Sequence, residues 1–551
     1  MPTLHWVGKD KVVNHHHDVP FRLLNREYSF TAKDGTPNNS TNNRIIHGDN
    51  LEALKSLLPE FEGKINCIYI DPPYNTGKEN WVYNDNVNDP KIKKWLGQVV
   101  GKEGEDLSRH DKWLCMMYPR LKLLHRLLAS NGSIWMSLDE NEMFRVRFIL
   151  DEVFGGFNFV SQIIRETIRG GSGPSNKIRK VHDYLICYAK DKSLLSIAGL
   201  NVEAELVFDR QDNKGDYARG RELNKWGASS RREDSPSMWF PIKTPDGVDV
   251  YPIRNDGTEG RWRWGYKKLI DAVNAGDVDF EMRENGTYIA YEKIRSNENR
   301  VKALNTLLLG TADNASGTKE LKHIFNKTKS PFDYPKPSSL LDYILTACST
   351  DSDDVILDSF AGSGTTAHAV LKLNATDGGN RRFILCEMMD YAETITAERV
   401  RRVMNGYGEG TKAVAGLGGG FDYYTVGEPL FLDDKNLNES VGAAAIRAYV
   451  AYTESIPSEQ QTDTNHLVSP YMLGFGQRCL WVFYYECEQV TTLDMDFLAS
   501  LNIKALQSDG QVGQERPETF VIYADKCTLS PEFMAQHGIV FKRIPRDITR
   551  F

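Results

Sequence analysis

VILDSFAGSGTTA, residues Val355 to Ala367, is the stretch on which the fold turns. An apolar strand, Val355 to Leu357, runs into Asp358, then a glycine-rich turn, then a helix. Gly362, Gly364 and Ala367 keep the G-x-G-x-x-G/A spacing of a nucleotide-binding turn, in the strand–turn–helix setting such a turn needs. Glycine permits the tight turn and lets a ligand lie against bare backbone. Asp358, Phe360, Ala361, Gly362, Ser363, Gly364 and Thr365 are the candidate cofactor turn. Glu387 ends the next strand, Phe383 to Cys386, and can accept hydrogen bonds from both hydroxyls of a ribose. Alone, the turn suits NAD, FAD or S-adenosylmethionine. A P-loop is excluded, because no Gly-Lys-Ser/Thr element occurs anywhere in the chain.

Working outward, strand and helix alternate from Arg44 onward. Ile45-Ile46 leads into Gly48-Asp49-Asn50 and a helix with Leu51, Leu54, Leu57 and Leu58 at helical spacing. Asn66 to Ile70 is a short strand. Trp113 to Leu128 reads as a helix stopped by Asn131-Gly132, Ser133 to Leu138 as a strand, then a helix to Phe154, and Tyr184 to Ala189 as a further strand. The alternation predicts a largely parallel sheet with helices on both faces. It lapses between about 195 and 325, where turns multiply and Trp226, Trp239, Trp262 and Trp264 stand among charges. A helix from Thr394 to Met404 follows the second alternating stretch. Gly416 to Gly420 then reads as a flexible linker, and the tail beyond it as a small α/β unit with strands at Leu480–Tyr485, Thr519–Tyr523 and Gly538–Lys542.

The second chemical motif is Asp71-Pro72-Pro73-Tyr74-Asn75-Thr76-Gly77, at a strand's carboxyl end, where open α/β sheets place their sites. Two successive prolines donate no main-chain hydrogen bond and stiffen the backbone. They leave an acceptor patch, the Asp71 carboxylate and the Pro72 carbonyl, beside the Tyr74 ring. Such a patch suits a flat substrate with an exocyclic amino group. A rigid polyproline-like turn would account for Pro72 and Pro73 but not for the flanking Asp and Tyr, and a dehydrogenase reading of the Gly-rich turn leaves all four unexplained.

Composition narrows the class. The chain has 551 residues, 40% hydrophobic and 26% charged, ordinary for a folded globular protein. No window approaches the ~18 uninterrupted apolar residues of a membrane span, and Met1 to Asp10 lacks a signal-peptide pattern, so a cytoplasmic location is expected. Eight scattered cysteines without a CxxC read as reduced thiols, neither a disulfide frame nor a zinc cluster. His15-His16-His17 diverge on extended backbone, and no metal is expected. The net charge is −8, from 67 basic and 75 acidic residues, yet polyanion binding needs only a local basic face. The stretch from Arg165 to Lys180 supplies one: Arg165, Arg169, Lys177, Arg179 and Lys180 against a single acid, over Gly170-Gly171-Ser172-Gly173. These five are the candidate phosphate contacts. In residues 201–320, 19 basic residues face 21 acidic ones, so charge does not mark that segment. Arg261-Trp262-Arg263-Trp264 reads either as guanine-reading guanidiniums or as core-and-surface alternation.

Asp71-Pro-Pro-Tyr74 followed far downstream by Phe360-Ala-Gly-Ser-Gly-Thr-Thr366 resembles the amino-DNA methyltransferases of the β order, in which the catalytic motif precedes the cofactor motif and the target-recognition domain lies between them. Gly132–Glu142 and His182–Lys190 resemble later catalytic elements. Gly48-Asp49-Asn50 resembles the family's acidic contact to the cofactor adenine, and Phe332–Leu341, with Lys336 and Ser338, the segment beside the cofactor's methionine end. The long gap before Pro335-Lys-Pro337, the His-His-His-Asp-Val-Pro start and the Phe541-Lys-Arg-Ile-Pro545-Arg ending look like the modification subunits of type III restriction systems. The resemblance implies a Rossmann-like S-adenosylmethionine-dependent methyltransferase fold in permuted motif order, with an inserted target-recognition domain and a small C-terminal α/β domain. It divides the chain into an N-terminal extension (1–43), a catalytic lobe (44–195), a recognition insert (196–325), a cofactor-binding part (326–415) and a docking domain (421–551). It also implies transfer to the N6 amine of an adenine flipped from double-stranded DNA, with Asp71, Pro72, Pro73 and Tyr74 catalytic and no metal. A homodimer, with a separate helicase–nuclease, completes the expectation. N4-cytosine methylation, a solitary methyltransferase and a purely sequence-reading module of a nuclease complex are the other readings the same residues allow.

Overall fold

The computed structural model describes residues 3–75, 109–170, 178–201, 207–295, 301–310, 312–348, 351–432, 434–457, 460–462, 466–476, 478–487, 489–507 and 517–546. Its central element is a ten-stranded sheet. In chain order the strands and helices that build it are β1 (Arg22–Thr31), β2 (Asn43–His47), α1 (Asn50–Phe61), β3 (Ile65–Ile70), α2 (Arg109–Leu127), β4 (Leu128–Leu138), α3 (Met143–Leu150), β5 (Phe159–Glu166), β6 (His182–Ala189), β7 (Leu307–Leu308), α4 (Asn314–Ile324), α5 (Ser338–Cys348), β8 (Val355–Asp358), α6 (Thr365–Asp377), β9 (Arg382–Glu387), α7 (Glu398–Asn405) and β10 (Gly420–Pro429). Across the sheet the order is β1-β10-β2-β9-β8-β3-β4-β6-β5-β7.

The strands from β10 through β4 are parallel, and they read as near-continuous apolar runs because both faces are covered. On one face Leu54, Leu57 and Leu58 of α1 and Leu114, Met117, Leu121 and Leu124 of α2 pack on Ile46, Ile68, Ile70, Leu357 and Ile384. On the other, α5 lies against β3 and β4, and α6 against β9. The sheet is less uniformly parallel than expected: β6 runs antiparallel to both β4 and β5, and β1 antiparallel to β10. The Asn131-Gly132 helix stop is also displaced. Helix α2 ends at Leu127 and β4 begins at once, carrying Gly132 inside it; a Cβ there would come within 2.9 Å of the Ile65 and Asn66 carbonyls.

Three of the expected boundaries change. Residues 1–43 do not form a separate extension, since β1 is an edge of the main sheet, zipped to β10 with Tyr28 stacked on Tyr423 at 5.0 Å. The Gly416–Gly420 run is not a free linker: Leu417 and Gly418 donate to the Val403 and Met404 carbonyls, and Gly420 opens β10. Its glycines are needed for close packing, Gly418 at φ +73° lying hard against the backbone of Pro37. Finally, the chain forms two compact units, and the second is Gly199–Leu304, narrower than 196–325. Residues 305–325 belong to the first unit because they supply β7, paired with β5, and α4, packed on α7.

Among its described residues the second unit holds a four-stranded antiparallel sheet built from Arg210–Asp212, Gly215–Glu222, Val278–Met282 and Tyr288–Arg295, a short antiparallel pair, Ile242–Lys243 with Asp249–Val250, and the α-helix Tyr266–Asn274. Leu223, Phe240, Ile242, Trp262 and Leu269 form its core. Its chain ends meet, Leu200–Asn201 pairing antiparallel with Val301–Lys302. Here the Arg261–Trp264 alternation is of the core-and-surface kind: Trp262 is buried with its N–H on the Phe240 carbonyl, while Arg261 and Arg263 donate to the Ser229 and Glu222 carbonyls. Toward the carboxyl terminus, Cys479–Phe483, Thr519–Ala524 and Ile539–Arg543 run parallel, with Met472–Gly476 antiparallel at the edge and a core of their own. Among the described residues no helix is long and apolar enough to cross a membrane.

Candidate active site

Strands β3, β8 and β9 lie side by side and parallel, with Asp358 level with Tyr69 on one side and Leu385 on the other. Their carboxyl ends therefore bring Asp71, Asp358 and Glu387 to one edge of the sheet. A cavity opens there. Asp71 and Pro73 line it from the β3 end, Phe332, Tyr334 and Lys336 from the segment before α5, Phe360 to Ser363 and Thr365 from the turn after β8, and Glu387 and Tyr391 from the end of β9.

The turn is held from inside by its own side chains. The Asp358 carboxylate accepts from the Phe360 amide at 3.0 Å and the Thr366 hydroxyl at 2.6 Å. Burial first, and then the neighbouring Asp71 and Glu387 charges, push the Asp358 carboxyl up to about 7 against the lowering hydrogen bonds from Thr366 and Phe360. Glu387 accepts from the Gly362 amide at 2.8 Å and the Met389 amide at 3.0 Å. Gly362, at φ +51°, faces the cavity; a Cβ there would approach the Phe332 ring at 3.3 Å. Gly364 differs from expectation. At φ +76° its missing Cβ makes room for the Thr396 carbonyl, 3.0 Å away, so this glycine serves packing rather than ligand contact. Behind the turn, Arg399 of α7 donates to the Ser363 and Thr365 hydroxyls and is ion-paired to Glu320 at 3.0 Å. Nothing in the local sequence singled out Arg399 or Glu320; only an arginine on the buried side of an otherwise amphipathic helix hinted at it.

At the other end of the cavity, Trp113 of α2 donates to the Pro73 carbonyl at 2.7 Å and so fixes the double-proline turn. The Tyr74 hydroxyl makes a long 3.5 Å bond to Asp183, and burial holds its phenol well above the usual range. Asp71 Oδ2 is 2.5 Å from the Lys336 ammonium, which also lies 4.8 Å from the centre of the Tyr74 ring. Asp71 Oδ1 is buried with no hydrogen-bond partner among the described residues. Asn75 is held at φ +61° by a hydrogen bond to the buried Glu142, which His110 meets at 2.6 Å. Thr76 and Gly77 lie outside the described residues.

Several expected site residues do other work. Asp49 caps α1 through the Leu51 and Glu52 amides; it follows β2, beside Glu387, but does not line the cavity. Ser338 donates to Glu320 at 2.5 Å, below the cavity wall. Arg165 is buried and bound to both oxygens of Asp183, its partner across the β5–β6 ladder, and to the Ala312 carbonyl. It is no phosphate contact, because its charge is already spent inside the fold. Arg169 pairs with Asp313 at 3.2 Å and Lys180 with Asp139 and Glu140 at 3.0 and 2.5 Å, both half exposed. Arg179 is exposed. Lys177 lies outside the described residues. Among the described residues no group of three or more His, Cys, Asp and Glu is placed to hold a metal.

A family model described as DNA methylase matches residues 65–398. The Type III restriction-modification enzyme EcoPI Mod subunit of Escherichia phage P1 is 31% identical over 447 residues, 75% of this chain and 66% of that protein. The Type II methyltransferase M.KpnI of Klebsiella pneumoniae is 32% identical over 66% of this chain and 85% of its own. The Type III restriction-modification enzyme StyLTI Mod subunit of Salmonella typhimurium is 32% identical over 63% of this chain and 53% of its own. The matched region thus spans between about half and 85% of these relatives. Among solved structures, the PvuII cytosine-N4-specific DNA methyltransferase aligns over 66% of this chain and 89% of its own at 12% identity and a TM-score of 0.33, too loose a likeness to add to the family match.

Proposed function

This chain belongs to the DNA methylase family, and we propose that it transfers a methyl group from S-adenosylmethionine to the N6 amine of an adenine flipped out of duplex DNA. The observation that carries the reading is the half-used acceptor at Asp71, a buried carboxylate oxygen without a partner among the described residues, in one cavity with the Gly362 turn. The cavity fits the cofactor: backbone is bare at Gly362 where a Cβ would crowd Phe332, and the Glu387 carboxylate stands at the end of β9. Glu387, Phe332 and the turn from Phe360 to Ser363 would hold it, and when bound it supplies an electrophilic methyl group.

The rest is done by the chain. An adenine amine is a poor nucleophile because its lone pair is delocalised into the ring. Asp71 and the Pro72 carbonyl accept hydrogen bonds from its two N–H groups and turn the lone pair outward. As positive charge grows on the nitrogen, these fixed acceptors stabilise it without reorganising. Tyr74 stacks on the base once it has left the duplex. The Trp113 bond to Pro73 and the Glu142 bond to Asn75 keep the turn from relaxing. Asp71→Ala is expected to lower the methyl-transfer rate at least ~100-fold, the scale of a lost electrostatic stabiliser, with cofactor affinity by calorimetry nearly unchanged. Near wild-type transfer by this variant would refute the assignment.

The names of the relatives support a type III modification subunit; that it acts as a homodimer beside a separate helicase–nuclease, with the Gly199–Leu304 unit reading the sequence and the residues beyond β10 docking a partner, is the arrangement we propose for it. Arg169, Arg179, Lys177 and Lys180 remain the proposed phosphate contacts; the half-exposed pairs of Arg169 and Lys180 cost little to exchange for phosphate.

A further inference from the structure

We propose that Lys336 is a stand-in for the substrate's amine. In the DNA-free protein its ammonium holds the place beside Asp71 and Tyr74 that the target base takes, and the base must displace it. This inference deepens the reading above and rests on it. The ammonium touches one Asp71 oxygen and overlies the Tyr74 ring. Those are the two things a flipped base requires, an acceptor for its amine and a ring face for its plane. An ammonium and an exocyclic amine both present N–H donors to a carboxylate, so each satisfies Asp71 in place of the other.

Only the side chain can leave. The Lys336 carbonyl accepts from the Thr365 hydroxyl at 3.1 Å, tying the backbone to the cofactor turn. On the other side Gly317 of α4 packs so closely that a Cβ there would meet the Pro337 nitrogen at 2.9 Å. Between these two clamps, four flexible methylenes carry a strongly hydrated point charge that gains solvent when it swings out.

While the ammonium stays, methyl transfer is blocked twice. Asp71 Oδ2 is engaged, leaving the base's amine only the buried Oδ1, and a full positive charge stands where the attacking nitrogen must become positive. While it is present without DNA, Asp71 has a counter-charge that a largely buried carboxylate otherwise lacks. A flipped base with no exocyclic amine offers nothing to replace the ammonium, so the exchange favours amino-bearing bases before chemistry begins.

The test uses the full-length protein and a duplex carrying the sequence it methylates, mapped beforehand by sequencing DNA treated with the wild-type protein. Binding is read by fluorescence anisotropy without cofactor. Lys336→Ala is expected to bind this duplex about fivefold tighter than wild type. Ethylammonium chloride, whose ammonium refills the vacated place, is expected to weaken the alanine variant's binding back toward wild type. Tetramethylammonium chloride at equal ionic strength, with no N–H to donate, is expected not to. Wild type responds equally to the two salts, through the ordinary salt dependence of DNA binding. Lys336→Met, which keeps the bulk, is expected to show the tightening without the ethylammonium effect, and covers the case of a misfolded alanine variant. Unchanged or weaker binding by both variants, or equal responses of Lys336→Ala to both salts, overturns the stand-in. A folded wild-type protein that methylates no DNA fails the functional reading itself and removes this inference with it.

Discussion

Arg165 marks where single residues mislead. A basic side chain in a glycine-rich, basic stretch reads as a phosphate contact, yet its partner Asp183 lies on the next strand and becomes its neighbour only through the β5–β6 register. The pair is almost fully buried and also sets the acid that meets Tyr74. Arg165→Met is therefore expected to cost about 3–5 kcal/mol of stability, the penalty for stranding one charge of a buried pair, measured by chemical denaturation. An unchanged midpoint together with a shallower salt dependence of DNA binding would restore the phosphate role. The same logic sorts the rest of the site. That Asp71, Gly362 and Glu387 meet at one cavity was legible because each belongs to a motif at the end of a strand. Asp49, Ser338 and Gly364 were misjudged because what they do is decided by a helix amide, by Glu320 and by Thr396, none of which a linear pattern reveals. Arg399 was missed for the converse reason, being distant in sequence from the hydroxyls it holds.

Elements were legible where hydrophobic period decided them and illegible where glycine did. The alternation around Ile45, Asn66–Ile70 and Val355–Leu357 yielded β2, β3 and β8, whose apolar runs leave no other option. GLGGG has a second meaning that composition cannot separate from flexibility, namely backbone packed on backbone. Gly418 sits in left-handed conformation with its α-carbon against the Pro37 carbonyl, and this contact seats β10 between β1 and β2. Gly418→Ala is expected to lower stability by about 1–3 kcal/mol, as overpacking does, visible as a drop in thermal midpoint. A free linker would tolerate the change with no shift.

For the whole molecule, order of motifs and order in space come apart. The motifs proposed as catalytic and cofactor-binding, nearly 300 residues apart in sequence, end on adjacent parallel strands because β3 pairs directly with β8. The intervening Gly199–Leu304 unit is expected to be removable as a cassette, because its ends pair at Leu200–Asn201 and Val301–Lys302. If one protomer reads the duplex while its partner receives the flipped base, then Asp71→Ala and a variant lacking the cassette, each inactive alone, are expected to restore methylation when mixed. Two folded variants that give no activity together would remove the shared arrangement. The atom that receives the methyl group decides the function most directly. Purified protein is incubated with unmethylated duplex DNA and S-adenosylmethionine labelled at its methyl group, and the DNA is digested to nucleosides and analysed by mass spectrometry. The account predicts label in N6-methyldeoxyadenosine and nowhere else; label in N4-methyldeoxycytidine, or none in DNA from a folded protein, would contradict it.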